Sequence, residues 1–140
     1  MFPKNIDQEF VKQLLLQKEG EQLEFKQQIS SKEKIAKTLS AMSNSAGGLI
    51  LIGVSDQRKL IGIDPDEEQY MIEGANRDFC SPNADLELLG VTISPETIYD
   101  KEKYILLVIV HPSKGGAVYV KQQDGTQKTY KRVGDENLIA

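Results

Sequence analysis

The chain of 140 residues is long enough for one domain with a real hydrophobic core, so neither disulfides nor a structural metal is required for folding. Apolar residues at 39% and charged residues at 27% are ordinary for a soluble globular protein, and the lone Cys80 excludes an internal disulfide and gives no sign of an oxidising compartment. No apolar run reaches the roughly 18 residues of a membrane span, and Met1–Asn5 leads into a polar helical pattern rather than a signal core, so no membrane partner and a cytoplasmic location are expected.

In chain order, Asp7 is placed to cap a helix over 7–18, with Phe10, Leu14 and Leu15 as its apolar stripe and Gly20 as its stop. Gln22-Leu23-Glu24-Phe25-Lys26 alternates as a strand does, with Leu23 and Phe25 toward the core and Glu24 on the other side. Ser30 or Ser31 caps a second helix, whose Ile35, Leu39 and Met42 follow an i, i+4, i+7 spacing. Gly47-Gly48 ends it, and Leu49-Ile50-Leu51-Ile52-Gly53-Val54 is the continuous apolar run of a strand buried on both faces. This is a strand–helix–strand unit of the length that joins parallel neighbours.

Lys59–Ile63 reads as a short returning strand, Glu67–Asp78 as an exposed acidic helix and Cys80–Asp85 as loop. Strand patterns follow at Leu88–Ser94, Tyr104–Val110, Ala117–Lys121 and Lys128–Lys131, separated by turn residues and read mostly as antiparallel neighbours. The expected class is α+β: a mixed sheet with the strand–helix–strand unit in the N-terminal half and mostly antiparallel strands in the C-terminal half. One domain is expected over 1–140, with helix 7–18 appended to it.

A net charge of −4 with a pI near 5.1 argues against a strong, general nucleic-acid binder. The charge is uneven, however. Residues 64–87 carry eight acids against Arg77, a balance of −7, whereas residues 101–134 carry seven bases against Glu102 and Asp124, a balance of +5. A local basic surface can coexist with an acidic total, and phosphates respond to the local field.

Three acids are candidates for chemistry. Glu19 and Glu24 flank the first helix–strand junction and Asp56 follows the buried strand. If they meet at one sheet edge, three carboxylates can hold Mg²⁺ or Mn²⁺, which favour oxygen ligands, and such a metal can activate a water toward a phosphodiester. The plain alternative is surface charge beside Lys18 and Lys26. A second candidate is Tyr130-Lys131-Arg132, with Lys121 and Lys128 nearby, where an aromatic beside a guanidinium can stack on a base and pair with a phosphate. The plain alternative is an ordinary cross-strand pair with solvated bases. The small-residue run Thr38–Gly48 suits close helix–sheet packing, and no G-x-x-x-x-G-K-[ST] loop is present, which disfavours an ATPase. His111, in a turn before Pro112, and Cys80 have no catalytic partner in the pattern.

Glu19-Gly20-Glu21-Gln22-Leu23-Glu24-Phe25-Lys26 resembles the opening of Schlafen-type Alba-like domains. Lys37–Asn44, Gly47-Gly48, Leu51–Asp56 and Ile61-Gly62-Ile63 are similar to that domain's centre, and Val118–Lys121 with Tyr130–Gly134 to its closing strands. The resemblance spans Glu19 to Ala140. It implies a nucleic-acid-binding domain, directed at the RNA or DNA backbone and belonging to a transcriptional or defence regulator, with Lys121, Lys128, Tyr130, Lys131 and Arg132 as contacts. By the same resemblance the alternative is an Mg²⁺- or Mn²⁺-dependent endoribonuclease using Glu19, Glu24 and Asp56 as catalytic and metal-binding residues. The chain departs from many relatives in having one acid and no glycine in Ser55-Asp56-Gln57-Arg58-Lys59. The nuclease relatives carry two lobes, so an equivalent groove here implies a homodimer. A third reading is a regulatory protein-interaction or oligomerisation domain using the acidic helix.

Overall fold

The computed structural model describes residues 6–140; the reading of Met1–Asn5 lies outside the described residues. Asp7 caps the first helix by accepting the Phe10 N–H, but α1 covers only Gln8–Leu14. The stripe of that helix runs out early. Val11 and Leu14 are buried, whereas Leu16 is exposed, and the chain turns toward Gly20 rather than extending the helix to Lys18.

Strand β1 (Leu23–Lys26) is followed by α2 (Lys32–Ser43) and β2 (Gly48–Ile52). Ser31 is the cap of α2, its hydroxyl accepting the Lys34 N–H. The two strands pair in parallel, Glu24 opposite Ile50. Gly47 adopts φ +77, a conformation in which a side chain is strained, and a β-carbon there would lie 2.5 Å from the Val110 carbonyl oxygen.

Residues 59–63 do not form a strand. Its one β-bridge among the described residues is Val54 to Leu60, and single hydrogen bonds from the Ile61 N–H to the Gly53 carbonyl and from the Ile63 N–H to the Tyr104 carbonyl hold the rest without a ladder. Asp64 caps α3 (Pro65–Phe79), which is acidic on its outer face but buries Ile72, Gly74, Ala75 and Glu68. The Glu68 carboxylate accepts the Ile29 N–H at 2.7 Å, which ties α3 to the loop before α2. Cys80–Ser81, expected as loop, is the short strand β3.

The antiparallel half holds β4 (Leu86–Ile93), β5 (Lys103–Val110), β6 (Tyr119–Lys121), β7 (Gln127–Val133) and β8 (Glu136–Ile139). They build two sheets. The first has the order β1-β2-β5-β4 and is mixed; the second has the order β3-β6-β7-β8 and is antiparallel. The α+β class with a mixed sheet is therefore observed, and β8 is an addition to the expected strands.

The first sheet is covered on both faces, which explains the unbroken apolar run in β2. Leu49 and Leu51 face α1 together with Val11, Leu14, Leu23, Phe25 and Leu107. Ile50 and Ile52 face the other way, into a core with Leu39, Met42, Ile72, Leu106 and Val108 that also takes Val118, Val120 and Tyr130 from the second sheet. Helices α2 and α3 thus lie between the two sheets. Among the described residues no helix is long and apolar enough to cross a membrane.

Candidate nucleic-acid interface

Alternation in β1 sends Leu23 and Phe25 toward α1 and Glu24 toward α2. That second face is covered, so Glu24 is only 6% exposed. Its Oε1 accepts from the Arg132 guanidinium at 3.0 Å and its Oε2 from the Thr38 hydroxyl at 3.3 Å, with Lys26 Nζ at 3.8 Å. Arg132 is itself 3% exposed. It also donates to Asn137 Oδ1 at 2.8 Å, the Gly20 carbonyl at 3.0 Å and the Leu23 carbonyl at 3.4 Å. Asn137 closes the network by donating to Thr38 Oγ1 at 2.9 Å. A buried charge persists only when paired and hydrogen-bonded, and each member of this network supplies that to another.

The three candidate carboxylates have different surroundings. Glu24 sits opposite Ile50, two residues short of the end of β1, with a guanidinium against it. Glu19 Oε2 accepts the Phe25 N–H at 3.1 Å along the free edge of β1. Asp56 is exposed in the turn beyond β2. Among the described residues no group of three or more His, Cys, Asp or Glu side chains is placed to hold a metal ion. A divalent cation needs carboxylate oxygens turned toward it, and the Glu24 oxygens already serve a cation and a hydroxyl. As arranged, these residues do not fit the three-carboxylate metal site that the sequence resemblance implies.

The basic candidates divide between two faces of the second sheet. Register pairs Tyr119 with Thr129, Lys121 with Gln127 and Lys131 with Leu138. These residues point outward, away from α2. Val120 pairs with Lys128, and Tyr130 and Arg132 share the opposite, inward face. Tyr130 and Arg132 were expected as contacts; both are buried, Tyr130 in the core with Lys37 Nζ 5.8 Å from its ring and Arg132 against Glu24, so neither offers a surface for base or phosphate. Alternation does put the two on one face, but that face is the one α2 covers. Lys128 is exposed at the strand end, on the inward-facing side of the register.

Tyr119 is the aromatic that the outward face presents, 42% exposed, beside Lys121 and Lys131. The signal was in the sequence: in Val118-Tyr119-Val120-Lys121 the two valines claim the core, which leaves Tyr119 and Lys121 outside. Asn44 holds this sheet in place. Its amide donates to the Val118 carbonyl at 2.9 Å and the Tyr130 carbonyl at 3.0 Å, and its Oδ1 accepts the Val118 N–H at 2.7 Å. The Ser40 hydroxyl donates to the same Val118 carbonyl at 2.7 Å, which accounts for the small polar residues of α2.

At the β6–β7 turn, the Thr126 hydroxyl and N–H hold the Asp124 carboxyl below the usual carboxylate range, with Lys128 adding to the effect. Burial pushes the Cys80 thiol up to about 12, so it is no nucleophile at neutral pH.

A mixed sheet, two intervening helices and an antiparallel sheet whose outer face carries Tyr119, Lys121 and Lys131 define an α+β protein of the Alba-like kind. The family model described as Schlafen, AlbA_2 matches residues 19–140, and the chain belongs to that family. Membership points to a nucleic-acid-related role. Among solved structures, the DIP2311 protein from Corynebacterium diphtheriae is similar, with a TM-score of 0.53 and 16% identity over 93% of this chain. This chain spans 30% of the length of that one, and the likeness shows the fold alone. No curated protein matches.

Proposed function

We propose that the chain binds the phosphate backbone of RNA or DNA on the outward face of β6 and β7. Lys121 and Lys131 meet phosphates, and Tyr119 offers a ring on which an unpaired base can stack. The observation that carries this reading is the shared face. Two exposed lysines without an ion-pair partner among the described residues flank an exposed tyrosine, and the carboxylate that the register places on the same face is Glu136, at the start of β8. Family membership supports the class of ligand. An exposed tyrosine beside two lysines suits a single strand, whose unstacked bases can meet the ring.

The test is fluorescence anisotropy with single-stranded RNA and DNA of mixed sequence between about 50 and 200 mM salt. K121A/K131A should weaken binding across sequences and reduce the salt slope by about 1.4, the share of two phosphate contacts on a single strand. Y119A should cost about 1–3 kcal/mol while leaving the slope unchanged. Affinity that is insensitive to salt and intact in K121A/K131A refutes the assignment.

A further inference from the structure

On the opposite side of the first sheet from β6 and β7, the end of α1, the turn after β2 and the β4–β5 connection enclose a cleft of about 440 Å³. Five cations line it: Lys12, Arg58, Lys59, Lys101 and Lys103. Only two carboxylates, Glu96 and Asp100, share the lining, which gives a local excess of three positive charges in a chain of net charge −4. Acids outnumber bases in this protein, yet among the described residues none of the five cations is in an ion pair within 4.0 Å. Like charges drawn together from three separate segments and left without neutralisation repel one another, and a bound anion removes that cost.

Two of the cations are fixed in advance. The Arg58 guanidinium lies 4.4 Å over the Phe25 ring and donates to the Gln17 carbonyl at 2.7 Å. Its backbone has φ +63, a conformation that side chains other than those of glycine and asparagine seldom adopt. Lys103 Nζ donates to the Leu60 carbonyl at 3.2 Å. Groups held in this way lose little freedom when a ligand arrives. Between the charges the lining is apolar, with Leu15, Leu60 and the buried Ile93. The volume is within the range that encloses a small molecule. The larger cleft of about 630 Å³ beside β1 offers only Lys18 and Glu21 as charged groups and has no such bias.

We propose that this cleft is a binding site for a small phosphorylated ligand of nucleotide size, its phosphates on the cations and its apolar part against Leu15, Leu60 and Ile93. The site is separate from the outward face of β6 and β7 and does not depend on the reading given to that face. Amide-resolved NMR of the full chain, titrated with pyrophosphate and with ADP up to roughly 10 mM, tests it. Saturable shifts confined to residues 12–15, 58–60 and 93–103 are expected, tighter for ADP than for pyrophosphate. K59E/K101E, at two exposed positions, should weaken ADP by roughly tenfold or more, K59Q/K101Q by less, and K121A/K131A should leave it unchanged. Absent or unsaturable shifts, shifts spread over lysines elsewhere, or full affinity in both cleft variants overturn the proposal. So does a short single-stranded DNA that shifts the same amides while ADP does not, because the cleft is then part of a nucleic-acid track.

Discussion

The buried pair of Glu24 and Arg132 makes the sharpest prediction, because its two readings differ in sign. In the structural reading, Glu24→Ala leaves a guanidinium whose side chain is fully buried facing three neutral acceptors, the Asn137, Gly20 and Leu23 oxygens. Removing one partner of a buried ion pair costs about 3–5 kcal/mol, and the remaining acceptors place E24A near the lower end, at about 3 kcal/mol. Glu24→Gln keeps an oxygen for Arg132 but loses the charge and should cost about 1–2 kcal/mol. The joint variant E24M/R132M removes the unpaired charge and should recover part of the loss. Recovery stays incomplete because the Gly20 and Leu23 carbonyls lose their donor. Urea unfolding followed by circular dichroism, with the coupling taken from the double-mutant cycle, measures each value. A carboxylate held for catalysis gives the opposite result, since sites poised for chemistry are commonly relieved by such substitutions. E24A within about 0.5 kcal/mol of the parent, or above it, refutes the structural reading.

Asn44→Ala removes four hydrogen bonds, three of them to the backbone of Val118 and Tyr130, and should destabilise by about 2–4 kcal/mol in the same assay. Gly47→Ala meets both a positive φ and the Val110 carbonyl, so a loss of at least about 1–2 kcal/mol is expected, and a neutral result would mean that the α2–β2 turn relaxes freely. Cys80 should resist iodoacetamide in the folded chain at neutral pH and react at the rate of unfolding. The unfolded thiol ionises near 9.0 and the folded one near 12, so the unfolded state sheds its proton first as pH rises. The stability this group contributes is complete below pH 9.0 and is lost between there and about 12, and Cys80→Ala should flatten that part of the pH profile.

What was legible in the sequence is what short-range pattern fixes. The unbroken run in β2, the Ser31 cap and the spacing of Ile35, Leu39 and Met42 each carry their own physical cause, and β1, α2 and β2 follow from them. What was missed depends on partners distant in the chain. Cys80–Ser81 is a strand only because β6 lies beside it, and β8 is a polar segment made regular by β7. Lys59–Ile63 has a strand's composition but only one bridge to pair with. The site shows the same division. Period two correctly groups Tyr130 with Arg132, but it cannot say which face of the sheet a helix will cover. The five cations of the cleft come from three segments that only the topology brings together.

The buried network also gives a physical meaning to the order of motifs along the chain. Glu19–Lys26 opens the matched region and Tyr130–Gly134 closes it, and each looks weak alone. In the folded chain they are complementary halves of one object, since Glu24 and the Gly20 and Leu23 carbonyls from the first receive the Arg132 guanidinium from the second. Thr38 and Asn137 fill the remaining positions. This joins the edge strand of the first sheet to the second sheet across α2, 108 residues apart in sequence. The acid of the opening motif therefore acts in this chain as the anchor that sets the second sheet's position. It adds to the burial of Val118, Val120 and Tyr130 in keeping that side of the sheet inward, which leaves Tyr119, Lys121 and Lys131 on the proposed nucleic-acid face.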